Sequence, residues 1–132
     1  MIDKTKLHDN KEFASVLRLE NELEGKIASK TDNIVSGNSV FYEPGIEVLP
    51  KDIEKPFILV LKTTDLDQCQ LSADMFFNAN GIIAGEGSAL SHPAVIAREM
   101  NIPCILGVDI KKIDSGKTIQ LDTTGKQGKV RY

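Results

Sequence analysis

Two cysteines in 132 residues, Cys69 and Cys104, stand far apart in apolar surroundings, with no Cys-x-x-Cys pair and no cluster of histidines beside them. That scarcity argues against a disulfide framework and against a zinc site, and both thiols are expected to be reduced, buried and chemically quiet. Basic charge is not in excess either. Sixteen Lys and Arg face nineteen Asp and Glu, a formal net charge of -3, so the chain lacks the broad positive field that neutralises nucleic-acid phosphates. No N-terminal stretch joins a positive region to a continuous apolar run, because residues 1–12 mix Lys, Asp, His and Glu throughout. Membrane spanning is therefore a poor reading, and a cytoplasmic location is expected. Repeats, low-complexity tracts, long linkers and a glycine-rich nucleotide loop carrying a Lys are also missing. What remains is an ordinary globular composition, 41% hydrophobic and 27% charged, in a length suited to one domain.

The hydrophobic pattern places the elements. Asp9 or Asn10 can cap an opening amphipathic helix in which Phe13, Val16, Leu17 and Leu23 recur at helical spacing, with Gly25 as its stop. Residues 26–28 and 34–42 are β-prone and are separated by Thr31, Asp32 and Asn33; a turn follows at Glu43-Pro44-Gly45. Lys55-Pro56 then introduces Phe57 to Leu61, an apolar run of the length of a strand buried on both faces. Polar residues 63–67 can cap a helix over about 68–78. Gly81 to Ala84 reads as a second buried strand, and Gly85-Glu86-Gly87-Ser88 as the loop that ends it. Pro93 suits the first turn of a helix reaching Met100, since its fixed φ fits there and its missing N–H is not needed. Asn101 closes that helix and Pro103 prevents its continuation. Cys104-Ile105-Leu106 is a third apolar strand, and 118–121 with 129–132 form a terminal hairpin around Gly125 and Gly128. The expected class is α/β, with the strands near Phe57 to Leu61, Ile82 to Ala84 and Cys104 to Leu106 in one sheet and the helix after His92 packed on its face.

The chemistry concentrates in residues 81–107, GIIAGEGSALSHPAVIAREMNIPCILG, where a strand feeds a glycine-bearing loop, a Ser-His pair and a helix start. Free N–H groups and the positive end of the helix dipole stabilise an anion placed there. The same field disfavours a protonated imidazole, so His92 keeps a lone pair for attack on phosphorus. Ser91 can cap the helix or donate to a phosphate oxygen, and Gly85 and Gly87 allow close backbone approach or positive φ. By pattern alone each residue also has a plain reading. A histidine at a helix start is commonly a surface or capping residue, Arg98 fits a solvated helix face, Glu86 is a loop carboxylate, and the glycines fit a tight turn. His8 sits in a polar segment and receives no role.

Residues 81–107 resemble the signature of the mobile phosphohistidine domain of phosphoenolpyruvate-utilising enzymes, the family of phosphoenolpyruvate synthase and pyruvate phosphate dikinase. The resemblance rests on Gly81-Ile82-Ile83, Glu86-Gly87, Ser91-His92, Ala94 to Arg98, Ile102-Pro103 and Gly107. A weaker likeness runs over residues 23–132, leaving residues 1–22 as an N-terminal helical extension. The resemblance implies a compact swivelling β/β/α fold in which His92 is phosphorylated, with Gly87, Ser88, Ser91 and Arg98 around the phosphate. It implies a phosphoryl carrier that works with nucleotide-binding and phosphoenolpyruvate, pyruvate or other acceptor domains, here expected on separate chains, with no cofactor of its own and with Mg²⁺ at the partner's active site. The alternative is a non-catalytic module of the same origin that binds a partner or a phosphorylated ligand. Three positions depart from the family pattern. Ser88 replaces a glycine and stiffens the loop, Leu90 stands where several members carry a threonine, and Pro93 follows the histidine where a small residue is usual.

Overall fold

Among the described residues Phe57 to Leu61 form the most deeply buried stretch, each at 1% exposure or less. In the computed structural model, which describes residues 19–42, 53–64 and 73–132, they belong to strand β3 (Phe57–Thr63). Around it lie β1 (Glu22–Ser29), β2 (Val35–Phe41), β4 (Gly81–Glu86), β5 (Cys104–Leu106), β6 (Thr118–Asp122) and β7 (Gly128–Arg131). Two helices, α1 (Ala73–Asn78) and α2 (His92–Met100), make the crossovers from β3 to β4 and from β4 to β5. Those crossovers are needed because β2, β3, β4 and β5 pair in parallel, and parallel neighbours cannot be joined by a tight turn. The remaining pairings are antiparallel and close the sheet into a barrel of order β1-β5-β4-β3-β2-β6-β7. The architecture is a mixed, sheet-dominated α/β fold with few helices.

A period of two divides the apolar residues between two cores. Ile58, Ile83, Ile105, Ile119, Leu121 and Val130 fill the barrel. Their neighbours Phe57, Leu59, Leu61, Ile82, Ala84, Cys104 and Leu106 face outward, where Met75 and Phe76 of α1 and Ala94 and Ala97 of α2 cover them. Full burial of one such large side chain is worth about 1.5–3 kcal/mol, so β3, buried on both faces, anchors both layers. The three strands expected to share a sheet do so as neighbours, and α2 packs on that sheet through two alanines.

The reading of Leu23 and Gly25 as the tail of a helix is corrected. Both lie in β1, where exposed Glu22, Glu24 and Lys26 alternate with half-buried Leu23, Gly25 and Ile27. Gly25 does not stop an element; it pairs with Gly128 of β7. A Cβ at Gly25 would come within 2.6 Å of Ile105 Cγ2, and one at Gly128 within 2.7 Å of Ile105 Cγ1, so the glycine pair makes room for that isoleucine. The rest of the opening helix, residues 1–18, and the turn at 43–45 lie outside the described residues, as do Cys69 and residues 65–72 before α1. β4 runs through Gly85 and Glu86, two residues beyond the expected loop boundary, because Thr63 pairs with Glu86. The hairpin of β6 and β7 forms as read. Among the described residues no helix is long and apolar enough to cross a membrane.

Candidate functional site

β4 delivers the chain at Glu86 to a five-residue loop, Gly87 to Ser91, and α2 begins at His92. Pro93 is buried within the first turn, and Ser91 holds the N-cap position in extended conformation, φ -67° and ψ 157°. At the other end Asn101 takes the left-handed conformation, φ 57°, and its N–H bonds back to the carbonyls of Ala97 and Arg98. The bounds of α2 are thus those that Pro93, Asn101 and Pro103 imply in the sequence.

His92 is exposed, and its ring has no hydrogen-bond partner among the described residues. An N-terminal turn leaves its first N–H groups without intrahelical partners. Pro93 has none and Ala94 is fully buried against the sheet, so the one carried by an exposed residue is that of His92. Val95 N–H already bonds to the Ser91 carbonyl at 3.0 Å. The Ser91 hydroxyl makes no capping bond; its Oγ is buried and has no partner among the described residues. The expected cap is therefore a matter of backbone position only. A hydroxyl and an amide without partners among the described residues meet the positive end of the helix dipole where His92 begins, an arrangement suited to an anion.

The loop is held from both sides. The Ser91 N–H donates to the Ser88 carbonyl at 3.0 Å, and the Leu90 N–H to Ser88 Oγ at 3.1 Å. Ser88's own hydroxyl proton stays available to a ligand. Leu90 projects at 87% exposure. Beneath the loop lies Thr64, which the sequence places among the polar residues 63–67 before a helix. Its side chain is buried, its Oγ1 accepts the Ser88 N–H at 3.2 Å, and its N–H donates to the Glu86 carbonyl at 3.1 Å. Gly87 rests on it so closely that a Cβ there would overlap the Thr64 side chain. The clue in sequence is the Thr-Thr pair closing a buried strand, but nothing local says which loop it meets.

Arg98 is not brought to this loop. Six residues after His92 it stands roughly 9 Å further along the helix and about 120° around it. Its guanidinium donates to the Ala28 carbonyl at 2.9 Å, at the point where the β1–β5 pairing shifts register between Ile27 and Ser29. That bond ties the last turn of α2 to β1 and leaves the guanidinium away from the loop before His92. Gly87, Ser88, Ser91 and His92 do come together. Glu86 is exposed at the end of β4, where its carbonyl is engaged by Thr64. Cys104 is no nucleophile: burial pushes its thiol up to about 12, partly offset by the charge of Arg98. No group of His, Cys, Asp and Glu among the described residues could hold a metal ion. A polar depression of about 310 Å³, lined by Lys30, Asp32, Asn80 and Asn101 among others, opens at the end of the parallel strands away from His92.

Residues 53–126, more than half of the chain, match the family model described as PEP-utilising enzyme, mobile domain. The phosphoenolpyruvate synthase of Aeropyrum pernix is 33% identical over 87 residues, which cover 64% of this chain and 10% of that protein. The pyruvate, phosphate dikinase of Entamoeba histolytica is 46% identical over 44 residues, 33% of this chain and 5% of that protein. The chain thus spans a tenth or less of the curated relatives it matches. Among solved structures, aconitase X of Thermococcus kodakaraensis in its holo form superposes with a TM-score of 0.55 at 19% identity, covering 83% of this chain and 98% of that one. A UPF0107 protein solved in solution gives 0.54 at 14% identity, covering 82% and 97%. These two likenesses concern the fold alone.

Proposed function

The chain belongs to the family of mobile domains of PEP-utilising enzymes, and from that premise we propose that it is a swivelling phosphohistidine carrier whose acceptor is His92. The observation that carries the reading is an exposed histidine on the first turn of a helix, its ring and the neighbouring Ser91 hydroxyl both without hydrogen-bond partners among the described residues. A lone pair of the neutral ring attacks phosphorus in line. The bond from phosphorus to the donor oxygen breaks, the donor keeps the electron pair, and a phosphoramidate forms on His92. Transfer to the acceptor reverses these events at a second site. Such transfers gain mainly from positioning and from charge stabilisation, which the His92 amide, Ser88 and Ser91 supply.

The donor is phosphoenolpyruvate or ATP, and nucleotide-binding and acceptor domains on separate chains complete the cycle. Mg²⁺ belongs to those partner sites, this domain holds no cofactor, and the setting is the cytoplasm. Intact-mass measurement after incubation with donor and partner tests the proposal: the expected result is one acid-labile phosphoryl group on the wild type and none on His92→Ala. Undiminished labelling of His92→Ala would place the acceptor elsewhere. Pro93 removes one amide from the anion-binding turn, which favours a second reading, a binding module that is never phosphorylated. A wild-type chain left unmodified by every donor and partner would select it.

A further inference from the structure

We propose that Thr64 is a positioning residue for phosphorylation of His92, an inference that rests on the carrier reading. Thr64 directly follows β3, whose residues 57–61 are each at 1% exposure or less, so it is tied to a fixed reference. Three contacts attach the loop. The Thr64 N–H holds the Glu86 carbonyl at 3.1 Å, Thr64 Oγ1 holds the Ser88 N–H at 3.2 Å, and the Thr64 side chain fills the space that a Cβ on Gly87 would occupy. Ser88 passes the constraint on. Its hydroxyl takes the Leu90 N–H and its carbonyl the Ser91 N–H, and the Ser91 carbonyl takes the first helical bond from Val95. A continuous run of hydrogen bonds thus leads from the end of β3 to the residue before His92. Thr64 is buried and its Oγ1 is engaged by the Ser88 N–H, so it acts through Ser88.

The Ser88 backbone is exposed enough for water to replace a lost partner, so Thr64→Val should fold while releasing the loop. Thr64→Ser keeps the acceptor and loses only a methyl group. Potassium phosphoramidate is a suitable probe because it needs no partner protein. Its P–N bond breaks and ammonia leaves with the electron pair, while the ring lone pair forms the new N–P bond and the proton on the other ring nitrogen passes to water. His8, the second histidine of the chain, serves as an internal reference. The measured quantity is the ratio of initial phosphorylation rates at His92 and His8, from peptide mass mapping, with urea midpoints recorded in parallel.

Wild type is expected to favour His92. Thr64→Val should lower the ratio about tenfold, the scale on which small misplacements act, and Thr64→Ser should restore it to within about threefold of wild type. If wild type favours His92 and Thr64→Val does so equally, the positioning role is refuted and the carrier reading stands. Equal loss in Thr64→Ser and Thr64→Val would also refute it, since the hydroxyl would then be irrelevant. If His92 in the wild type reacts no faster than His8, the carrier reading falls and the inference with it.

Discussion

Among the described residues the buried Ser91 hydroxyl has no hydrogen-bond partner, and neither has the exposed ring of the adjoining His92. An unsatisfied buried hydroxyl is a cost in the resting protein, on the order of 1–3 kcal/mol, and an asset once a charged oxygen arrives. Ser91→Ala is therefore expected to leave the urea midpoint unchanged or to raise it. The same variant should shorten the life of the phosphorylated form by roughly tenfold or more, because a hydrogen bond to a charged group contributes about 1.5–3 kcal/mol. A drop in stability with an unchanged lifetime would show that the hydroxyl is a structural group. Cys104 gives a second residue-scale test. With its thiol held up at about 12 by burial, its peptide should escape alkylation by iodoacetamide at pH 8 in the native protein and react once urea unfolds it.

At the scale of the element, α2 depends on its two ends. Asn101 closes it from the left-handed region, which asparagine and glycine enter more readily than other residues. Asn101→Gly should stay within a few tenths of a kcal/mol of wild type, whereas Asn101→Val should lose about 1–2 kcal/mol by urea unfolding. If both are neutral, the cap does not hold the helix. The loop before α2 has the opposite sensitivity. Gly87 is needed for closeness and not for positive φ, since an added Cβ would run into Thr64. Gly87→Ala is expected to cost about 1–3 kcal/mol through overpacking, and Thr64→Ser in the same chain should recover part of that cost.

At the scale of the whole molecule, closure of the barrel brings Glu22 of β1, Asp122 of β6 and Arg131 of β7 together on the outer face. Burial alone would raise the Asp122 carboxyl. Hydrogen bonds from the Thr124 hydroxyl and amide, with Arg131 beside it, outweigh that effect and hold it below the ordinary carboxylate value. A carboxyl depressed on folding contributes stability that is fully present above its unfolded value, about 3.9, and is lost as pH falls through the lower folded value. Urea midpoints should therefore fall steadily below about pH 4 in the wild type. Asp122→Asn should start lower at neutral pH and show a shallower acid limb. An unchanged limb would mean that other carboxylates govern acid unfolding.

Local pattern was enough for much of this protein. An unbroken apolar run made β3 a strand buried on both faces, proline and asparagine bounded α2, glycines marked the final hairpin, and a histidine beside a proline at a helix start had to lie near the surface. Each of those features is decided within a few residues by backbone sterics or by the period of the side chains. Three outcomes were decided by contacts across long stretches of sequence. Leu23 and Gly25 became strand because β7, over 100 residues later, supplies their partners and Ile105 needs the space at Gly25. Arg98 reaches β1 and not the loop before His92 because the Ala28 carbonyl, at the register shift of β1, accepts its guanidinium. Thr64 entered the site because parallel pairing of β3 with β4 sets its hydroxyl under a loop 24 residues away. Spacing along the chain specifies which residues share a face, but only the folded sheet specifies which faces meet, since unpaired backbone and unfilled volume are satisfied by whatever the topology brings near.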